Sequence, residues 1–213
     1  MRVPAMIVAI DGPAAAGKGT LAVRLAAHLG LPYLDTGLLY RAVGKRVSDE
    51  GLDPDNAADA ARMAAGLDAA DFADPNLRGH GAGELASRVA VHPEVRSRLL
   101  AFQRDFARRP GGAVLDGRDI GTAIVPEADV KIYVTASAEV RARRRTDELR
   151  AKGRDVPYAR ILDEIRERDA RDAGRATAPL AVAADAVTLD TTDLDAEAAF
   201  RRAVAIVEAR MRR

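Results

Sequence analysis

Nine residues near the N-terminus, Gly12-Pro13-Ala14-Ala15-Ala16-Gly17-Lys18-Gly19-Thr20, have the types and spacing of a phosphate cradle. Glycine lets backbone N–H groups approach an anion closely, a helix N-terminus adds partial positive charge, and Lys18 supplies a mobile full charge. The spacing is Gly-x-x-x-x-Gly-Lys, with Gly19 in the place usual for Ser or Thr and the hydroxyl one residue later, at Thr20. Thr20 is therefore the candidate ligand for a metal ion. The pattern carries weight only between a strand and a helix. That context is present: Met6–Ile10 is an apolar run suited to a buried strand, and Leu21, Leu25 and Leu29 recur at helical spacing until Gly30 stops the helix. The bland alternative is a glycine-rich turn bearing an exposed lysine.

The elements that must position this loop are four further apolar runs and the helices between them. Leu31–Leu34 reads as a second strand, ending at Asp35-Thr36-Gly37, with a helix from Leu38 to Val47 that carries Tyr40 and Arg41 in its first turns. Residues just beyond strand ends line the ligand crevice of open α/β sheets. Ala113–Leu115 is a third strand, followed by Asp116-Gly117-Arg118-Asp119-Ile120-Gly121-Thr122. Two carboxylates and an arginine there make either a site near a phosphate-bound metal or a charged turn with its own ion pair. Val130–Val134 and Ala186–Leu189 are the fourth and fifth strands. Alternation of strands and helices predicts an α/β fold with a central parallel sheet.

Between the third and second strands the chain is mostly helical. Ala57 to Leu67, Glu84 to Val91 and Pro93 to Arg108 read as helices, and Leu67 to Glu84 as an irregular excursion over the acceptor site. Arg41, Ser87 and Arg96, read alone, are surface residues of helices. From Arg141 to Arg175 there are twelve basic residues against eight acidic, a local excess of four positive charges. Most of these belong to solvated helices with i,i+4 pairs, and the functional alternative is a lid whose arginines close over phosphates. Lys152-Gly153-Arg154 is its turn. In the closing helix, Asp195 to Arg210, Thr192 and Asp195 are expected to form a capping pair, and Phe200, Val204, Val207 and Met211 the buried stripe.

Composition excludes several classes. A net charge of +1 argues against a general nucleic-acid binder. The absence of cysteine excludes disulfides, thiolate chemistry and zinc-cysteine sites, and His28, His80 and His92 are too scattered for a metal cluster. With 48% hydrophobic but 4% aromatic residues, the core is expected to be Ala, Leu, Val and Ile on helices. No apolar stretch reaches the ~18 residues of a membrane span. MRVPAM does not read as a signal peptide, so a cytoplasmic, soluble enzyme is expected.

The motifs GPAAAGKGT, LDTGLLYRA, LASRVAVHPEVR, LDGRDIGT and RDARDAGRATAPL, in that order, resemble those of bacterial cytidylate kinases along nearly the whole chain. The resemblance implies a five-stranded parallel sheet flanked by helices, in the P-loop kinase fold. Its core would be 1–50, 109–140 and 176–213, its acceptor-binding segment 51–108 and its lid 141–175. It implies ATP and Mg²⁺, with CMP and dCMP as acceptors and no nucleic-acid or membrane partner, in a monomer. ATP phosphates would lie in the loop from Gly12 to Thr20. Asp35, Thr36, Tyr40 and Arg41 would belong to the acceptor site, with Ser87, Arg96 and Asp119 reading the base. Arg41, Arg118, Arg168 and Arg175 would grip the acceptor phosphate, and Asp172 would hold the ribose. Ala15 stands where the family often has a further glycine, and residues 67–84 lack the strands many members insert there. A kinase for another monophosphate or a small alcohol, and a regulator that binds ATP without transfer, share the loop and remain the alternatives.

Overall fold

A computed structural model of the chain describes residues 6–68, 71–72, 74–79 and 81–212. Five strands, β1 (Met6–Asp11), β2 (Tyr33–Asp35), β3 (Gly112–Gly117), β4 (Val130–Thr135) and β5 (Val187–Asp190), form one sheet in the order β2-β3-β1-β4-β5, every pair parallel. The apolar runs predicted from sequence are these strands. Parallel strands are buried on both faces, which is why they read as continuous apolar runs. In β1, Val8 and Ile10 pack against helices α1 (Lys18–Leu29) and α8 (Ala196–Met211), while Ala9 joins Ala113, Leu115 and Ala107 on the other face.

Helices α2 (Thr36–Asp49), α3 (Ala57–Ala65), α4 (Ala82–Val89) and α5 (Pro93–Ala107) share a second apolar cluster, including Val43, Val47, Ala60, Ala86 and Val95. Helices α6 (Ala138–Ala151) and α7 (Tyr158–Ala173) pair through Ala142, Leu149, Ile161 and Ile165. Gly153, at φ +75°, turns the chain between them, as expected. The core is built of small and aliphatic side chains.

Two expectations for the closing helix fail. Asp195 alone caps α8, accepting from the Ala198 N–H, because the Thr192 hydroxyl is committed to Asp190 at 2.6 Å. Met211 is 64% exposed. The rest of the expected stripe holds: Val207 is buried and Phe200 and Val204 are partly buried against the same cluster, with Ala199 and Ala203 buried beside them. The segment predicted irregular contains a 3₁₀ turn, Pro75–Arg78, and helix α4 begins two residues before Glu84. His92 is buried with Nε2 2.9 Å from the Pro54 carbonyl; His80 lies outside the described residues. No helix among the described residues is long and apolar enough to cross a membrane.

Helix α2 crosses α4 with almost no space between backbones. A Cβ on Gly44 would stand 2.7 Å from Leu85 Cβ and 3.0 Å from its carbonyl carbon. Gly44→Ala is expected to cost about 1–3 kcal/mol through this overpacking. The check is a thermal or urea unfolding curve; an unchanged midpoint would show that the crossing is loose.

Candidate active site

All five strands point their carboxyl ends to one edge, and the side chains with chemistry gather there. β1 ends in Asp11, β2 in Asp35, and Asp116 stands opposite Asp35 in register on β3. The Gly12–Thr20 loop leaves the central strand and enters α1. Gly12, at φ +144°, passes so close to β4 that a Cβ would meet the Val134 oxygen at 1.9 Å. Gly17, at φ +88°, is the N-cap of α1 and no side chain caps the helix, so its first N–H groups stay open to an anion. Ala15 keeps the left-handed conformation, φ +59°, at a cost of about 1–2 kcal/mol for a residue with a Cβ. Lys18 is buried and folds back, its Nζ donating to the Pro13 carbonyl at 2.8 Å. Burial, with Arg118 beside it, pushes its pKa well below the usual lysine range. Thr20 is exposed in the first turn of α1.

The carboxylates differ in their work. Asp11 accepts from the Ile120 and Gly121 N–H groups, both at 2.8 Å, and so fixes the π-type turn Ile120–Ile124 that follows Arg118 and Asp119. Burial raises its pKa to about 6. Asp116 accepts from the Tyr33 hydroxyl at 2.8 Å, and burial, then the nearby Asp35, raises it to about 6 as well. Thr36 donates its hydroxyl to the Asp116 carbonyl at 2.8 Å, which docks the start of α2 on β3. Asp35 is the N-cap of α2 without a side-chain cap, so this helix too presents open N–H groups.

A second cluster lies around Asp172, which is completely buried near the end of α7. One oxygen accepts from Ser87 at 3.0 Å and from Arg175; the other accepts from Arg118 Nε at 2.9 Å and has Arg168 at 3.9 Å. Burial alone would raise the Asp172 pKa, but Arg118, Arg175 and Arg168 outweigh it and hold the group at about 2. Burial, then Arg118, depresses Arg168 to about 9. Arg41 is also depressed by burial, and its one hydrogen bond among the described residues is a 3.5 Å contact to the Leu77 carbonyl. Beside this cluster, Arg96 pairs with Asp119 and lies 5.6 Å over the Tyr40 ring. The buried Nε groups of Arg41, Arg168 and Arg175 have no hydrogen-bond acceptor among the described residues. Unsatisfied buried donors of this kind are costly unless a ligand completes them.

Thus residues singled out in sequence gather in two regions, the loop and the Asp172 cluster, which feel each other: Arg118 and Arg168 both act on Lys18. Asp11, Tyr33, Arg141 and Thr191 were not singled out. The strand-end rule that found Asp35 and Asp116 would have found Asp11, and Thr191, one residue beyond β5.

Fold and site define the class: a P-loop kinase, with a glycine-bounded loop before α1 and a cluster of guanidiniums around Asp172 at the same sheet edge. The sequence model of the cytidylate kinase family matches residues 8–209. A cytidylate kinase of Methylocella silvestris is 60% identical over 203 residues, 95% of this chain and 94% of that one. One from Rhodopseudomonas palustris is 56% identical over 204 residues, 96% of each chain. A solved gluconokinase of Sinorhizobium meliloti shares the fold, with a TM-score of 0.51 at 17% identity, covering 98% of this chain and 94% of that one. The chain belongs to the cytidylate kinase family.

Asp172 ionises more readily in the folded chain, at about 2, than at its ordinary 3.8. Its stabilisation is complete above pH 3.8 and is lost as pH falls through about 2. Asp172→Asn leaves three buried guanidiniums under-compensated and is expected to cost about 3–5 kcal/mol at pH 7. The deficit should narrow below pH 4 in urea titrations. A deficit that does not change with pH would remove the carboxylate's charge from the account.

Proposed function

We propose that the protein transfers the γ-phosphate of ATP to CMP, and to dCMP, giving ADP and the nucleoside diphosphate. The observation that carries this reading is the pair of anion sites at one sheet edge, the second lined by arginines whose Nε donors lack acceptors. A protein that only bound ATP would have no use for the second site. The ATP phosphates occupy the Gly12–Thr20 loop, and Lys18 leaves the Pro13 carbonyl for their outer oxygens. Arg41, Arg118, Arg168 and Arg175 hold the acceptor phosphate, Asp172 the ribose, and Ser87, Arg96 and Asp119 the base.

Phosphoryl transfer asks the protein for positioning and charge neutralisation rather than covalent chemistry. The acceptor is itself an anionic nucleophile near neutral pH, since its second pKa is about 6, so no general base is needed. An acceptor oxygen attacks the γ-phosphorus in line while the bond to the ADP oxygen breaks. Helices α6 and α7 form a lid that excludes water and so suppresses ATP hydrolysis. No group of three or more acidic, His or Cys side chains is arranged as a metal cage among the described residues. The hard oxygen donors that fit Mg²⁺ are the Thr20 hydroxyl and the Asp116 carboxylate, whose Oδ2 lies 4.0 Å from the Cβ position of Gly19. Bound there with the nucleotide, Mg²⁺ would neutralise charge developing on the phosphates. The working unit is a cytoplasmic monomer.

The test is ADP release in a coupled assay with ATP, Mg²⁺ and, in turn, CMP, dCMP, UMP, AMP and shikimate. Turnover is expected with CMP and dCMP; preference for another acceptor would discard the base-reading roles of Ser87, Arg96 and Asp119. Lys18→Ala should lower kcat by about 10²–10³-fold or more with the fold retained. Activity within a few-fold of the parent would refute the cradle.

The profile of kcat/KM should fall on the acid side near pH 6, where both Asp116 and the CMP phosphate take up protons. The two are separable. Tyr33→Phe removes a hydrogen bond that favours the Asp116 carboxylate, so its limb should move to higher pH while the substrate's stays. An unmoved limb would assign the whole fall to CMP.

A further inference from the structure

Three carbonyl oxygens of the phosphate loop are held by side chains. Lys18 takes Pro13 O, Arg141 NH1 takes Ala14 O at 3.3 Å, and the Thr191 hydroxyl lies 3.2 Å from Ala16 O. The lysine is part of the loop's own chemistry. The other two come from outside: Arg141 from the first turn of α6, Thr191 from the segment after β5. Both are nearly inaccessible and both are braced. Arg141 donates Nε to the Ala136 carbonyl at 2.9 Å and forks onto both oxygens of Asp169, on α7, at 3.0 and 2.6 Å. Thr191 receives Arg144 on its hydroxyl at 3.0 Å and on its carbonyl at 2.6 Å, and its hydroxyl is also 3.0 Å from the Thr135 carbonyl.

The consequence follows from peptide geometry. In a planar trans peptide the carbonyl and the next N–H point in opposite directions, and the described chain has no cis peptide. Anchoring Ala14 O and Ala16 O on one side of the loop turns the N–H groups of Ala15 and Gly17 to the other. Ala15 is the residue in the left-handed region without the freedom of glycine. Its conformation therefore needs support from neighbours, and the Ala14 carbonyl anchored by Arg141 belongs to the peptide on its N-terminal side.

We propose that Thr191, braced by Arg144, and Arg141, braced by Asp169, are positioning residues for the donor nucleotide: they hold the Ala15 and Gly17 N–H groups toward the phosphates before the nucleotide arrives. They replace, with contacts from the lid and the last strand, the conformational freedom that a glycine at position 15 would supply. The inference rests on the reading of the loop as the ATP cradle.

The test is calorimetric binding of β,γ-methylene-ATP and, separately, of CMP, to the parent chain and to Thr191→Val, Thr191→Ser and Asp169→Asn. Loss of one hydrogen bond to the loop should weaken β,γ-methylene-ATP about fivefold to tenfold in Thr191→Val. CMP affinity should stay within about twofold, and Thr191→Ser, which keeps the hydroxyl, should bind both ligands like the parent. Asp169→Asn, which frees Arg141 without emptying its site, should show the same selective loss and keeps the question answerable if Thr191→Val folds poorly. Nucleotide affinity unchanged in both Thr191→Val and Asp169→Asn, or equal losses for the two ligands, would overturn the proposal. A parent chain that binds CMP but not β,γ-methylene-ATP would instead overturn the reading of the loop itself.

Discussion

The arrangement depends on one buried carboxylate amid several buried guanidiniums. Asp172 has no exposed surface, yet it remains ionised because Arg118, Arg168 and Arg175 surround it. The converse matters equally: those arginines are compensated chiefly by Asp172, with Glu84 acting on Arg168 and Asp119 on Arg175. The same carboxylate accepts from Ser87, 85 residues away, and from Arg118, 54 residues away. A single group therefore joins α4, the end of β3 and α7, the elements that surround the proposed acceptor site.

Asp172 does not cancel the charge around it. One carboxylate faces several cations, and the Nε groups of Arg41, Arg168 and Arg175 keep unused donors. Arg118 and Arg168 also depress the ammonium of Lys18 across the site. An anion entering such a field relieves it, which is the physical reason for proposing a phosphate there. The sheet supplies the frame. Strand order β2-β3-β1-β4-β5 puts the loop after the central strand, with Asp35, Thr36, Arg118 and Asp119 at the ends of β2 and β3 and Thr191 after β5.

What could be read in the chain follows the range of the interactions. The loop, its strand and its helix are local, and their signals lie within 25 residues of each other. Strand-end carboxylates were legible because parallel-sheet topology puts them at one edge. Ser87, Arg96 and Arg41, by contrast, sit in ordinary helical sequence, and only the resemblance to known kinases distinguished them. Local pattern also misled: Thr192 and Asp195 have capping spacing, but Asp190 captures the Thr192 hydroxyl. Met211 continues the apolar period of the closing helix, yet its side chain is exposed.

By itself the sequence determined the parallel α/β architecture, the phosphate loop and the excess of arginine in the segment 141–175, because each is a matter of periodicity, backbone geometry or charge over a short span. Tertiary structure decided which arginines share one carboxylate, that Asp11 fixes the turn after Arg118 and Asp119, and that Arg141 and Thr191 hold the loop's carbonyls. Apart from Arg168 and Arg175, which stand four and three positions from Asp172, those are pairings between residues about 50 to 175 positions apart. No local propensity encodes them, since a hydrogen bond depends on distances and angles that only the packed chain brings within range.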